Sequence, residues 1–512
     1  MCSIAGIVGK GDIQKMLAVQ RHRAPDDSNF YEDRHLKLAM GRLKIIDLKS
    51  PGLCLYQEGD LVLSYNGEIY NYLELKEELQ KSGLKFKTNS DTEVLLKSFC
   101  QWGYRAFDKL NGMYAFALYD KKRKTILLAR DIAGEKPLYY YQKGQAFAFA
   151  SEAKALSHIF PVTIQENNLF YKAFEHCHID TLWEEIKEIP PAHYLLYRIK
   201  DNKLTIKPHW QFTPRSVKLK NAEEELETLL ADAVKIRTRS DVPYALYYSG
   251  GIDSSLIDTF HNFQHKFYFD NKADWKSDFF TKIERVVWHL DTPVGSLSSY
   301  PLWKLAEEAS QKVKVVISGE GADEVFGGYV RYLPIAREYE LRKKFPSYNA
   351  YLFPKYFKFT DYLEAFASIT SRNPKHISVT REMIAPYFKM FNDPINAMGF
   401  ADFKLILPSL LQMGDRMAGA FGIENRCPFL DRRLIEFGFS LPPQCKISGL
   451  RQKLILRKIL ARRGSHDALD REKEGLTVFF NKWSGKKIIW DRSLYFAFVK
   501  DIWYKTYNQI RK

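Results

Sequence analysis

The second residue of the chain is cysteine, and excision of Met1 would make it the first. A cysteine in that place carries its own base. The thiol is a nucleophile, and the α-amino group, with an ordinary pKa of roughly 7.7–8.0, accepts a proton near neutral pH. Such a nucleophile needs donors for the oxyanion it creates and anchors for its substrate. Asn66-Gly67, within Leu63-Ser64-Tyr65-Asn66-Gly67-Glu68-Ile69-Tyr70-Asn71, offers an amide side chain beside an unencumbered backbone N–H. The same pair after alternating apolar residues is also a hairpin-turn signal. Arg42, in Gly41-Arg42-Leu43, and Asp91, in Ser90-Asp91-Thr92-Glu93, supply a cation and an anion. Such a pair suits the carboxylate and ammonium of an amino acid.

A second chemical signal is Ser249-Gly250-Gly251-Ile252-Asp253-Ser254-Ser255, directly after the apolar run Ala245-Leu246-Tyr247-Tyr248. An apolar strand running through a Ser/Gly turn into a helix presents backbone N–H groups to an anionic phosphate. Asp253 stands where it could hold Mg²⁺, a cation satisfied by one or two carboxylates plus phosphate oxygens. No Gly-Lys-Ser/Thr occurs in the context a Walker A loop requires. A third signal repeats the pattern: Val315-Val316-Ile317 runs into Ser318-Gly319-Glu320-Gly321-Ala322-Asp323-Glu324. Three carboxylates in one glycine-rich turn repel each other unless a cation is present. Glu320 is a candidate general base.

These strings resemble the glutamine-hydrolysing asparagine synthetase family, whose first half is a class II, N-terminal-nucleophile glutamine amidotransferase. The likeness extends through Arg23-Ala24-Pro25-Asp26, Asn111-Gly112-Met113-Tyr114, Lys136-Pro137-Leu138-Tyr139-Tyr140 and Ser151-Glu152-Ala153-Lys154. The resemblance implies that Cys2 attacks the glutamine amide, that Asn66 and Gly67 hold the oxyanion, that Arg42 binds the substrate carboxylate, and that Glu68 and Asp91 bind its ammonium. The loop Ser249–Ser255 resembles the pyrophosphate loop of N-type ATP pyrophosphatases. That likeness implies an ATP site made by Ser249, Gly250, Gly251, Asp253, Ser254, Ser255, Ser318, Gly319, Glu320 and Lys453. It also implies Mg²⁺ on Asp253 and Asp323, Glu320 beside an acyl-adenylate, and Lys453 neutralising the phosphates. Asp415-Arg416-Met417 and Glu424-Asn425-Arg426-Cys427-Pro428-Phe429-Leu430-Asp431 match what is a helical core in the family.

Composition agrees with a large enzyme. The 512 residues, 46% of them hydrophobic, suffice for two or three domains with sizeable cores. No apolar run approaches the roughly 18–20 residues of a membrane span, and no basic-apolar leader opens the chain, so a cytoplasmic location is expected. The six cysteines include no Cys-x-x-Cys pair, which argues against a zinc site or a disulfide framework. A net charge of +16 invites a nucleic-acid reading. The lysines, however, are dispersed as pairs such as Lys121-Lys122 and Lys343-Lys344 rather than gathered in a tail, and attraction of ATP and acidic substrates accounts for them equally well. Neither membrane nor nucleic acid is expected as a partner, and a homodimer is left open.

The elements follow from periodicity. Residues 1–205 alternate short strands at Leu36–Ala39, Leu61–Tyr65, Thr125–Ala129, Ala146–Ala150 and Tyr194–Arg198 with helical stretches at Leu73–Lys81 and Thr92–Gln101. With the resemblance, this predicts an α+β αββα sandwich forming a glutaminase domain. Lys200–Asn221 reads as a linker. Residues 206–512 predict an α/β parallel-sheet synthetase domain with a large helical C-terminal part.

The chain departs from the family in places. Ser249 to Ser318 spans fewer residues than usual, which removes most of the second strand that frames adenine and leaves His265–Asp270 as its remnant. Ala24 takes the place of a customary glycine, which matters only where φ is positive. The expectation is ATP-dependent amide synthesis with glutamine as nitrogen donor. Aspartate is the default acid, and the alternative is another carboxylate, such as a sugar acid of a surface polysaccharide or a natural-product intermediate.

Overall fold

The computed structural model describes residues 1–165, 168, 171, 174, 181–215, 217–345, 347, 361–371, 373–471, 476–478, 480–483 and 492–509. Cys177 lies outside them. The first half holds two six-stranded sheets. One runs β10 (Ile186–Glu188), β8 (Tyr139–Lys143), β9 (Ala146–Ala150), β1 (Ser3–Val8), β3 (Lys37–Arg42), β2 (Asp27–Glu32). The other runs β12 (Lys203–Pro208), β11 (His193–Arg198), β7 (Thr125–Arg130), β6 (Gly112–Asp120), β5 (Leu61–Ile69), β4 (Tyr56–Glu58). The pairings are antiparallel, as between β1 and β3, β5 and β6, and β11 and β12.

Alternation along the strands builds three layers of core. On β6, Ala115, Ala117 and Tyr119 enter the apolar layer between the sheets, while Tyr114, Phe116 and Leu118 face the helices Tyr72–Lys81 and Asp91–Trp102. On β1, Ile4 and Val8 enter the same inter-sheet layer. Ala5 and Ile7 instead meet the helix Ile13–Val19 on the outer side. This is the expected αββα sandwich. The segment 203–208, read from sequence as part of a linker, is its edge strand, paired along its length with β11.

The second half is built on a parallel sheet in the order β14 (Lys266–Phe267), β13 (Tyr244–Tyr247), β15 (Val315–Ile317), β16 (Glu424–Arg426). Two corrections follow. The second strand is present, because Lys266-Phe267 pairs in parallel with Leu246-Tyr247. Glu424–Arg426 is a fourth strand within a region otherwise helical, and it runs through residues read as helical core. The chemically suggestive turns follow the carboxyl ends of the adjacent strands β13 and β15, where open α/β sheets bind ligands. The helices Ile252–Phe260 and Ala322–Phe326 begin just beyond them.

The two halves join through buried charge. Arg23 reaches Asp415 (2.7 Å) and Glu152 (3.3 Å), Arg416 reaches Glu152 (3.3 Å) and Asp291 (2.9 Å), and Lys154 reaches Glu152 (2.5 Å) and Asp291 (2.7 Å). All six side chains are at most 3% exposed. Although burial favours its neutral form, His22, Lys154 and Arg416 hold the Glu152 carboxyl well below the usual range. Three of these residues come from the sandwich and three from beyond residue 290. Among the described residues, no helix is long and apolar enough to cross a membrane.

Candidate active sites

Cys2 stands ahead of β1, and β1 pairs with β3, whose last residue is Arg42. Asn66 and Gly67 lie in the middle of β5, opposite Ala115 and Tyr114 of β6, and not in a turn. A Cβ on Gly67 would lie 2.2 Å from the Met113 carbonyl oxygen, so only glycine lets the two backbones meet there. Ser90 caps the next helix by accepting from the Thr92 N–H, which fixes Asp91 in its first turn. Sheet pairing and one cap thus bring residues from four segments together. Cys2, Arg42, Gly67, Glu68 and Asp91 line a single cavity with Ser90 and Thr92.

Asn66 does not line this cavity; it is wholly buried between the lining residues Tyr65 and Gly67 of its strand. Its Oδ1 accepts from the Cys2 backbone nitrogen at 2.9 Å, and its Nδ2 has no partner among the described residues. A buried amide donor without a partner is costly, and an oxyanion would satisfy it. Burial pushes the Cys2 thiol up, opposed by the terminal amine, the Leu43 N–H and Arg42. With Met1 in place, burial lowers the terminal amine to about 5. Arg42 donates to the carbonyls of Ile46 (2.8 Å) and Asp47 (3.0 Å), which aims the guanidinium.

Two carboxylates, Glu68 and Asp91, line the pocket. Asp91 accepts from the Tyr65 hydroxyl (2.8 Å) and the Ile69 N–H (3.0 Å), and burial raises its pKa. Burial, with Asp91 beside it, pushes Glu68 well above the ordinary carboxylate range. Glu68 is gripped by Arg426 at 3.1 Å, and Arg426 also holds Glu424 at 2.9 Å. Glu424 itself lines the Cys2 cavity. Sequence reading missed this contribution of β16. The signal available was the alternation Glu424-x-Arg426 just before Pro428, but three residues are too short a run to declare a strand.

The second site lies at the ends of β13 and β15. Ser249, Gly250, Asp253, Ser254, Ser318, Gly319, Glu320 and Asp323 line a cavity of about 510 Å³ whose other wall includes Phe267, Tyr268 and Phe269. Those aromatics come from β14 and the turn after it, so the residues read as a remnant form a wall of the pocket. Ser249, Gly251, Asp253 and Lys453 border a second cavity of about 910 Å³. Ser255 lines neither; it is buried and donates to the Tyr248 hydroxyl.

Lys453 Nζ bridges the two acidic side chains, at 2.6 Å from Asp253 and 2.6 Å from Asp323. Burial opposes its charge, yet the flanking carboxylates hold its ammonium above the ordinary lysine range. Lys453 also takes the left-handed conformation at φ 53°, a strained backbone that the surrounding structure must enforce. Two carboxylates converging on one cation fit the donor set Mg²⁺ takes in company with phosphate oxygens. Glu324, the third acid of the motif, is not part of this cluster; it is buried and accepts from the Tyr329 hydroxyl.

Glu320 is held by Asn425 Nδ2 at 3.0 Å and by the Cys427 thiol at 3.5 Å. Burial pushes its carboxyl up to about 7, against the stabilising contacts of Cys427, Asn425, Lys136 and Ser318. A carboxylate poised there can exchange a proton near neutral pH. Ala24, finally, has φ −141°, so the absent glycine is not needed.

Known proteins resemble the chain over most of its length. Residues 1–210 match the family described as a glutamine amidotransferase domain, and residues 225–277 and 265–491 match the family described as asparagine synthase. The chain is similar to the glutamine-hydrolyzing asparagine synthetase 1 of Bacillus subtilis (strain 168), at 29% identity over 94% of this chain and 88% of that one. It is also similar to asparagine synthetase 3 of the same organism, at 30% identity over 92% of this chain and 86% of that one. The chain belongs to the asparagine synthase family, with a glutamine amidotransferase domain at its front.

Proposed function

We propose that the protein makes an amide from a carboxylic acid at the expense of ATP, taking nitrogen from glutamine, and that the acid is aspartate. Cys2, freed of Met1, attacks the glutamine side-chain amide while its own amine, held by Asn66 Oδ1, accepts the thiol proton. The amine returns that proton to the nitrogen as the C–N bond breaks; ammonia leaves, and water hydrolyses the thioester to glutamate and free thiol. Asn66 Nδ2 and the Gly67 N–H receive the oxyanion. Arg42 takes the substrate carboxylate, and Glu68 and Asp91 its ammonium. At the second site the acid oxygen attacks the α-phosphorus of ATP, the bond to the β-phosphate oxygen breaks, and pyrophosphate leaves with the electron pair. Lys453 and the loop Ser249–Ser254 hold the phosphates. Asp253 and Asp323 would hold Mg²⁺, which would supply positive charge to the phosphate oxygens. Glu320 removes a proton from ammonia as it attacks the acyl-adenylate, the bond from the acyl carbon to the phosphate oxygen breaks, and AMP leaves with the electron pair.

The observation that carries the proposal is the placement of β16. Successive side chains of a strand point to opposite faces. Glu424 and Arg426 belong to the Cys2 pocket, while Asn425 and the following Cys427 hold Glu320. One short strand therefore backs both sites, which supports internal delivery of ammonia. The test is Cys2→Ala. It should abolish glutamine-dependent amide formation and leave synthesis from ammonium salts within about twofold, because Cys2 acts only before ammonia exists. Equal loss of both activities would refute the two-site reading. Pyrophosphate release with a panel of acids identifies the acid, and failure of aspartate within that panel would remove it.

A further inference from the structure

The two cavities at the synthetase site share a wall at the glycine loop, and one side chain from outside the loop stands in that wall. Arg471 lines both cavities, together with Ser249 and Asp253. A Cβ built on Gly250 would lie 2.2 Å from Arg471 Nη1 and 3.1 Å from its Cζ. The guanidinium therefore rests on the loop at a residue whose φ of 70° already requires glycine.

Of the other basic groups bordering the larger cavity, Lys453 is held by its two carboxylates and Lys458 by Glu223 at 2.7 Å, while Arg451 and His466 border that cavity alone and not the smaller one at the glycine loop. Arg457 donates to the Gln452 carbonyl (2.9 Å) and the Leu469 carbonyl (2.6 Å). It thereby ties the turn that carries Lys453 to the segment that carries Arg471. Among the described residues the Arg471 guanidinium has no hydrogen-bond or ion-pair partner.

We propose that Arg471 holds the pyrophosphate leaving group of the adenylation step, a role that rests on the ATP-dependent reading above. When the acid oxygen attacks the α-phosphorus, the departing β-phosphate oxygen takes up negative charge. A guanidinium seated on the loop meets that charge with paired N–H donors in a geometry a lysine cannot reproduce. The larger cavity beyond it is the route by which pyrophosphate leaves.

The experiment is calorimetric titration of the purified full chain with inorganic pyrophosphate, and separately with ATP, both in the presence of Mg²⁺. Arg471→Ala and Arg471→Gln should weaken pyrophosphate binding by about ten- to a hundredfold, the range for losing a charge-assisted contact. Arg471→Lys should recover part of the loss. Lys458→Ala, which removes a committed cation from the rim of the same cavity, should change binding by no more than about twofold. A melting curve matching wild type, taken on the Gln variant, shows that the fold is retained. Pyrophosphate binding unchanged in both the Ala and Gln variants would overturn the assignment and leave the adenylation reading intact. So would equal weakening by Lys458→Ala, since general positive potential would then explain the effect. Binding of neither ATP nor pyrophosphate to the wild-type chain would overturn both.

Discussion

Asn66 does two jobs with one amide. Its oxygen accepts from the Cys2 nitrogen, and its Nδ2 has no partner among the described residues, which leaves that donor to the oxyanion of the proposed mechanism. Asn66→Ala should lower glutaminase kcat on the order of 10²–10³-fold, the usual cost of one oxyanion donor, with a modest change in KM. Steady-state glutamate release checks this, and a large rise in KM at constant kcat would make Asn66 a binding residue instead. Glu320 sets a pH dependence. Its carboxyl titrates at about 7 and acts as a base only when ionised, so synthesis at a fixed free-ammonia concentration should fall as pH drops through 7. Asn425 stabilises the ionised form. Asn425→Ala should therefore raise the carboxyl pKa and move the ascending limb of the pH–rate profile upward by roughly one unit. A limb that stays in place would separate Glu320 from the proton transfer.

At the scale of elements, β16 shows what the sequence could and could not disclose. Five strands and two helices of the sandwich were legible because alternation, as at Leu61–Tyr65, and helical spacing, as at Leu73–Lys81, are local signals, whereas strands such as β1, β6 and the edge strand β12 were not read. So were Cys2, Asn66-Gly67 and the glycine loop, whose residue types are chemically unusual in those positions. Glu424 and Arg426 were not, because their role depends on a three-residue strand meeting a pocket more than 350 positions earlier in the chain. The second strand was misjudged for the same reason: Lys266-Phe267 is too short to read, yet the sheet needs only those residues beside β13. Arg426→Ala tests the strand directly. It leaves Glu68 and Glu424 buried without their cation, which costs about 3–5 kcal/mol in such settings. Glutamine-dependent activity should suffer more than ammonium-dependent activity, although Arg426 belongs to the synthetase half. The ratio of the two rates measures this, and an unchanged ratio would show that β16 does not shape the glutamine pocket.

At the scale of the molecule, the two halves are fastened by ions taken wholly out of water. A buried ion network adds little net stability over apolar packing, but losing one member is expensive. Arg416 touches Glu152, Asp291 and the Ser151 carbonyl. Arg416→Ala should cost about 3–5 kcal/mol, seen as an earlier first unfolding transition in denaturant, and should loosen the interface that keeps both sites on β16. The remaining charges, Lys154 and Arg23 among them, should keep each half folded. Two resolved transitions where the parent protein shows coupled unfolding is the expected outcome, and a single unaltered transition would show that the cluster is not what joins the halves.

Met1 is wholly buried, packed among Ala245, Val316, Ala418 and Ile423 of the second half, with the Arg23 guanidinium on its sulfur. That burial imposes a schedule on biogenesis. A peptidase can trim the first residue only while it protrudes, and in the finished fold it lies beneath a domain whose last strand is made some 420 residues later. The proposed mechanism therefore requires the trimming to precede closure of the second half over the first. On the proposed mechanism, a molecule that keeps Met1 in this buried place has its thiol without the adjacent free amine. Recombinant material should then divide into two stable populations according to how fully the peptidase kept pace with synthesis. An affinity tag fused ahead of Cys2 would have no room to emerge.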